Sequence, residues 1–231
     1  MIKVLVGIPQ VKYTNIEFET SLNSVLLPSK DIVGVDYKCY VKRTCGDITD
    51  HARNVICAEA IDSNFEYILF LDDDMIHPHN ALHFLLSNKE DESIVGGLYV
   101  SHFGDRVHAY DYYDNTYWAK NTIKPNTGLI ECSAIGTGCM LIPVKILKKL
   151  KFPWFEYKYT ELPEGHKHKR FIKFKGKDYT RWSEDIAFCN KWNKAGYDIY
   201  VDTNVLCYHL TTMAIGINED GQFSFNSIQE I

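Results

Sequence analysis

In the first hundred residues, short unbroken apolar runs alternate with stretches that repeat every three to four positions. "IKVLVGI" (2–8) is continuous, rich in β-branched residues and followed by Pro9, the pattern of a central strand buried on both faces and ended by the proline. A second strand is expected within 32–43. In "DITDHARNVICAEAIDSN" (47–64), Ala52, Val55, Ile56 and Ala60 share one helical face after capping-type residues. "YILFL" (67–71) predicts another buried strand, "PHNALHFLLSN" (78–88) a helix with proline near its start, and "SIVGGLYV" (93–100) a further strand. Strand, helix and strand at these spacings predict an α/β fold with a mostly parallel central sheet flanked by helices.

Beyond residue 100 the order loosens. Residues 102–127 are rich in Tyr, Asp and Asn and show no clean period. "AIGTGCMLIPVKILKKL" (134–150) predicts a glycine-punctuated loop, a strand and a short helix. Residues 151–180 are aromatic and basic, a loop with hairpin elements. "SEDIAFCNKWNKAG" (183–196) predicts a helix with a serine cap and a glycine stop, and "YDIYVDTNVLCYHL" (197–210) two short strands. No repeat, low-complexity tract or linker interrupts the 231 residues, so one domain over 1–231 is expected, with 211–231 as a C-terminal tail.

Composition narrows the class. Hydrophobic residues make up 45% and charged residues 24%, ample for a core, and a net charge of −5 argues against a general nucleic-acid coat. Seven scattered cysteines without a CxxC pair read as reduced core thiols, with zinc or a disulfide framework not expected. The N-terminal apolar run is too short for a signal peptide, and no window approaches the roughly 18 apolar residues of a membrane span. A soluble, cytoplasmic protein is the expectation.

The chemistry concentrates at "YILFLDDDMIHPHN" (67–80), where a buried strand ends on Asp72, Asp73 and Asp74. Strand alternation would put Asp72 and Asp74 on one side and Asp73 on the other. The carboxyl ends of strands are where open α/β sheets bind ligands. Two readings stay open: a solvated acidic turn, or a seat for Mg²⁺ or Mn²⁺, which in turn suits a diphosphate. A calcium loop is disfavoured because the glycine of its pattern is missing. At "SED" (183–185) helix capping competes with a general-base role for Asp185 or Glu184. A helix N-terminus lowers a carboxylate's pKa, so a base there needs a closed, water-poor site to raise it again. His209 is a core histidine or a metal ligand. "HKHKRFIKFKGK" (166–177) carries six Lys/Arg and no acid, and suits a solvated loop, a cover over a diphosphate, or a grip on a phosphate-bearing acceptor such as DNA.

These pieces occur together and in order. "VGIP" (6–9), "ARN" (52–54), "LFLDDDM" (69–75), "GG" (96–97), "AIGTGCMLI" (134–142), "SEDIAFCNKWNKAGYDIYVD" (183–202) and "YHL" (208–210) make the chain resemble the GT-A-fold glycosyltransferases, especially small family-2-like enzymes of bacteria, phages and viruses. The resemblance implies a single GT-A-type domain, with a Rossmann-like nucleotide half (about 1–100) and an acceptor half (about 101–210). It implies transfer of a sugar from a nucleotide-sugar donor, with a UDP-sugar expected, to a hydroxyl acceptor, with Mn²⁺ or Mg²⁺ as cofactor. The acceptor would be a glycan, a phosphate-bearing polymer or modified DNA held through His166–Lys177. By position, Asp74, His209 and Asp72 would serve the metal, and Asp72 or Asp73 its water shell or the ribose. Asp185 would be the base of an inverting reaction, with Glu184 holding the acceptor or the helix. Pro9, Gln10, Arg53 and Asn54 would lie by the nucleotide, and Gly136 and Gly138 would let the backbone approach donor sugar or acceptor. Whether Asp36, Asp47 or neither reads the donor base stays open.

Other classes fit less of the chain. "ILFLDDDMI" also matches the motif of haloacid-dehalogenase-type phosphatases, with Asp72 as nucleophile, but a full strand–helix unit precedes it here. "GIPQVKYTN" lacks the glycine-rich loop of a sugar-nucleotide pyrophosphorylase. A catalytically inactive relative that only binds nucleotide or glycan would have little reason to keep the acids and the histidine.

Overall fold

The computed structural model describes residues 1–10, 15–26, 36–89, 92–166, 171–211, 214–217, 221 and 223–226. The N-terminal half runs β1 (Ile2–Gln10), α1 (Ile16–Leu26), β2 (Tyr37–Cys45), α2 (Thr49–Asp62), β3 (Tyr67–Leu71), β4 (Met75–Ile76), α3 (Ala81–Asn88) and β5 (Ile94–Leu98). It continues with β6 (Ala109–Tyr113), β7 (Thr116–Ala119), β8 (Leu129–Glu131), β9 (Ala134–Ile135), β10 (Cys139–Pro143), α4 (Val144–Leu147) and β11 (Lys158–Glu161). The chain then forms β12 (Ile172–Phe174), β13 (Lys177–Trp182), α5 (Glu184–Lys194), β14 (Ile199–Leu206), β15 (Tyr208–Leu210), β16 (Ala214–Ile217) and β17 (Phe223–Asn226).

A seven-stranded sheet in the order β2-β1-β3-β10-β5-β14-β8 forms the centre. β2, β1, β3, β5 and β14 run one way and β10 and β8 the other, so the sheet is mixed and mostly parallel in direction. Side-chain alternation builds two cores from the same strands. Ile68 and Phe70 of β3 face α2, α4 and α5, packing with Ile56, Leu147, Phe188 and Trp192. Leu69 and Leu71 face α1 and α3, packing with Phe18, Leu22, Leu82 and Leu85. Each such fully buried side chain contributes about 1.5–3 kcal/mol of transfer free energy. No helix among the described residues is long and apolar enough to cross a membrane.

Several expectations need correction. Pro9 does not end β1, which continues to Gln10 because Pro9 lies past the last residue pair with β3, Gly7–Phe70, where one neighbour has already stopped. The second strand sits later than expected and ends at Cys45. On α2 the buried face takes Arg53 and Cys57 in place of Val55. Residues 102–127 hold a β6–β7 hairpin closed by Asp114 and Asn115, both at positive φ (52° and 57°), the two-residue turn that Asp and Asn tolerate. The supposed tail contains β16 and β17, which extend the sheet of β15 and β4. β11, β13 and β12 form a separate antiparallel sheet from the aromatic, basic stretch.

Candidate functional site

β3 ends at Leu71, and its face toward α2 and α5 continues into Asp72. The Asp72 N–H donates to the Gly138 carbonyl at 3.1 Å, which ties the strand end to the loop before β10. Asp73 and Asp74 then form a turn, so strand alternation stops and Asp72 and Asp74 part company. Asp72 Oδ1 accepts a hydrogen bond from Arg53 Nη2 at 2.8 Å, and Arg53 Nη1 pairs with Glu184 Oε1. Asp72, expected at the metal, therefore sits in an ion-pair network, outside the cluster that Asp74 enters.

Arg53 is 3% exposed, with its guanidinium 6.0 Å from the centre of the Phe155 ring. Burial alone would lower its pKa, but Asp72, Glu184 and Asp185 outweigh burial and raise it. Burial also pushes Glu184 up, with the neighbouring Asp185 charge adding to it, and burial pushes Asp185 up. Asp185 Oδ1 accepts the Ser183 hydroxyl and, at 2.7 Å, the Ile186 N–H. The serine expected to cap α5 thus bonds the aspartate instead, and the carboxylate itself takes a terminal N–H. Both bonds fall on Oδ1.

Asp74 meets two histidines. His102 Nε2 lies 3.3 Å from Asp74 Oδ2, and the His102 and His209 rings stack at 4.0 Å. One ligand atom from each of Asp74, His102 and His209 lies within 4.8 Å of the others. His209 Nδ1 bonds the Val100 carbonyl, which can only accept, so the proton is on Nδ1 and Nε2 keeps its lone pair for a ligand. Asp74 Oδ1 is buried with no hydrogen-bond partner. An orphaned carboxylate oxygen beside two imidazoles fits a divalent cation that accepts both oxygen and nitrogen, such as Mn²⁺. Burial raises Asp74's pKa, but the His102 hydrogen bond and then the neighbouring His209 imidazole outweigh it and hold the carboxyl low. The Asp74 hydrogen bond raises His102, while burial and then His102 lower His209. Nothing in the sequence singled out His102, because it lies in the aperiodic stretch.

The remaining candidates take varied places. Pro9, Gln10, Asp47, Thr49, Arg53, Asp72, Asp73 and Asp74 line one cleft of about 110 Å³. That volume is below the roughly 300–1,000 Å³ of ligand pockets, so the cleft by itself encloses no more than a small group. Asp36 lies elsewhere, 3.7 Å from the N-terminal amine. Asn54 faces a different job: its amide donates to the carbonyls of Asp50 (2.9 Å) and Phe155 (2.8 Å), and its Oδ1 accepts from the N–H groups of Trp154 and Phe155. It staples the 154–155 backbone to α2. Gly136 and Gly138 are approached by the protein itself, since Gly138 N–H donates to the Tyr99 hydroxyl at 2.9 Å. A Cβ on Gly136 would overlap that hydroxyl and stand 3.0 Å from His108 Nδ1. Gly136→Ala is accordingly expected to cost about 1–3 kcal/mol in urea unfolding, as overpacked sites do; an unchanged midpoint would mean that Tyr99 moves freely.

A second cleft of about 520 Å³ opens beside Ser183 and Ile186, the two partners of Asp185, and is walled by Tyr117, Trp118, Arg181 and Trp182. In the basic stretch, Lys167, His168, Lys169 and Arg170 lie outside the described residues. Of the rest, His166 pairs with Asp178 at 3.1 Å and Lys177 with Glu161 at 2.7 Å, while Phe171, Ile172 and Phe174 are exposed.

Comparison with solved structures places this architecture. A197 from STIV superposes with a TM-score of 0.60 at 14% identity, over 98% of this chain and 95% of that one. GalNAc-T7, solved with UDP, GalNAc and Mn²⁺, superposes with a TM-score of 0.56 at 12% identity over 91% of this chain. The chain spans 44% of that structure. The class is thereby defined: a mixed α/β, GT-A-like fold. No family model matches the sequence, and no curated protein matches it.

Proposed function

We propose that the protein is a metal-dependent, inverting glycosyltransferase that moves a sugar from a nucleotide-sugar donor, a UDP-sugar, to a hydroxyl acceptor. The observation that carries the reading is the pairing of an Asp74–His102–His209 donor set with a half-buried acid, Asp185, whose carboxyl is shifted up, at one end of a GT-A-like sheet. The UDP, GalNAc and Mn²⁺ of the GalNAc-T7 structure support the donor and ion class.

Asp74 Oδ1 or Oδ2 and Nε2 of His209 would hold the ion, with His102 as third donor. The bound ion supplies a Lewis acid that neutralises charge growing on the departing diphosphate. Arg53 fixes Asp72 and Glu184, and so holds the end of β3 against α5. Asp185 takes the acceptor's hydroxyl proton on Oδ2, the oxygen that Ser183 and Ile186 leave open. As it does so, the acceptor oxygen bonds the anomeric carbon and the bond from that carbon to the diphosphate breaks. The acceptor would lie in the cleft beside Ser183, where Trp118 and Trp182 offer flat apolar faces to a sugar or nucleoside. A modified-DNA acceptor is the arm that the 166–177 stretch supports; undetectable DNA binding at low salt removes it.

Mn²⁺-dependent hydrolysis of UDP-sugars, lost in Asp74→Ala, is the expected result. A donor at a hundred times its Kd should also stabilise the chain by about 2.7 kcal/mol in a thermal-shift screen. Metal-dependent release of inorganic phosphate from phosphomonoesters, without sugar transfer, would favour the phosphatase alternative, in which Asp72 is the nucleophile; hydrolysis of UDP-sugars that survives Asp74→Ala would remove Asp74 from the metal. Donor binding without turnover in the wild type would favour the inactive relative.

A further inference from the structure

Behind the Asp74 cluster lies a second group of donors that the proposed reaction does not use. His77 (2% exposed), Cys139 (0%) and Cys207 (1%) are buried, and one ligand atom from each lies within 4.8 Å of the others. They come from three segments: His77 follows β4, Cys139 opens β10, and Cys207 separates β14 from β15. Neither ring nitrogen of His77 has a hydrogen-bond partner of ordinary geometry, and the Cys139 thiol is the polar group that acts on it, which leaves a buried imidazole under-satisfied. The ring meets the Phe18 edge at 6.0 Å between centres, so its surroundings on that side are apolar. Gly97 makes room for the arrangement, because a Cβ there would stand 3.0 Å from the Cys207 sulfur.

We propose that His77, Cys139 and Cys207 form a second metal centre, a buried thiolate–imidazole site for a soft d¹⁰ cation, Zn²⁺ or Cu⁺. Two sulfurs and one nitrogen, with no oxygen among them, are the wrong donors for Mg²⁺, Ca²⁺ or Mn²⁺ and the right ones for these ions. Zn²⁺ would balance two thiolates in a buried setting, whereas the three-donor count suits Cu⁺. A metal there would clamp together the segments that carry the first site. His77 lies three residues after Asp74, Cys207 two before His209, and Cys139 next to Gly138. The site stands whether or not the transferase reading does.

The test uses the full chain, purified without chelator, with Zn²⁺, Co²⁺ and Cu⁺ as probes. Elemental analysis should find about one Zn or Cu per chain, as binding to a preformed thiolate site requires. Co²⁺ should give a thiolate-to-cobalt absorption band that Zn²⁺ displaces if zinc is the occupant; retention of Cu⁺ against a colorimetric chelator marks copper. Both signals should vanish in Cys139→Ser and Cys207→Ser and persist in Asp74→Ala. No thiolate-to-metal band with any probe overturns the proposal, as does equal binding by the serine variants or a Cys139–Cys207 disulfide in the purified chain. If the serine variants do not fold, the wild-type cobalt spectrum decides alone.

Discussion

Asp185→Asn is expected to lower sugar transfer by about 10²–10⁴-fold, the usual contribution of a general base, while the donor-induced thermal shift stays unchanged. The amide oxygen of asparagine can still accept from Ser183 and from Ile186 N–H, so the start of α5 is preserved. What disappears is the ability to take a proton. The pH profile gives a second readout. Burial raises the Asp185 pKa, and a base works only when deprotonated. Transfer should therefore be full at high pH and fall as pH drops through a value above the ordinary carboxylate range. Because the substitution also removes one of several crowded negative charges, the variant should be at least as stable as the wild type. Transfer at the wild-type rate would leave Asp185 as a helix cap and nothing more.

Arg53→Met should be the most destabilising single change in the site, by about 3–5 kcal/mol near neutral pH. It removes the cation that bridges Asp72 and Glu184, and breaking a buried pair strands the remaining charges. The deficit should shrink on acidification. Without Arg53 the folded-state pKa of Glu184, already raised by burial, rises further above its unfolded value. Groups of that kind contribute stability below the unfolded pKa and lose it as pH rises through the folded one. Denaturant unfolding of both proteins at several pH values checks the size and the sign. A deficit that grows toward acid would mean that the carboxylates do not depend on Arg53.

Elements whose pattern is local were legible in the sequence. β3 runs over the predicted 67–71, and α5 begins after Ser183 and stops near Gly196, which adopts a φ of 87°. A continuous apolar run and a capped amphipathic helix carry their own boundaries. Features decided by partners far along the chain were not legible. β10 reads as one more buried strand, and nothing in "CMLIP" says that it runs antiparallel between β3 and β5. Asp74 and His209 could be paired through the resemblance, but His102 joins them only because the chain after β5 folds back over the β3 turn. The glycines at 136 and 138 were legible as close-approach points; that the approaching group is Tyr99 depends on where β5 ends. The cysteines look unrelated along the chain for the same reason: Cys139 and Cys207 meet only once β10 and β14 flank β5.

The antiparallel β10 also sets the order in which a ribosome can deliver a finished molecule. β3 pairs with β1 as soon as residues 1–71 have emerged, but its other edge waits for residues 139–143, and β5 waits for 199–206. Contacts of such long sequence separation slow folding. During synthesis an apolar strand edge stays open to neighbouring chains, a template for aggregation until β10 inserts. Both donor clusters straddle this late step, so neither is complete until Cys207 and His209 have been made.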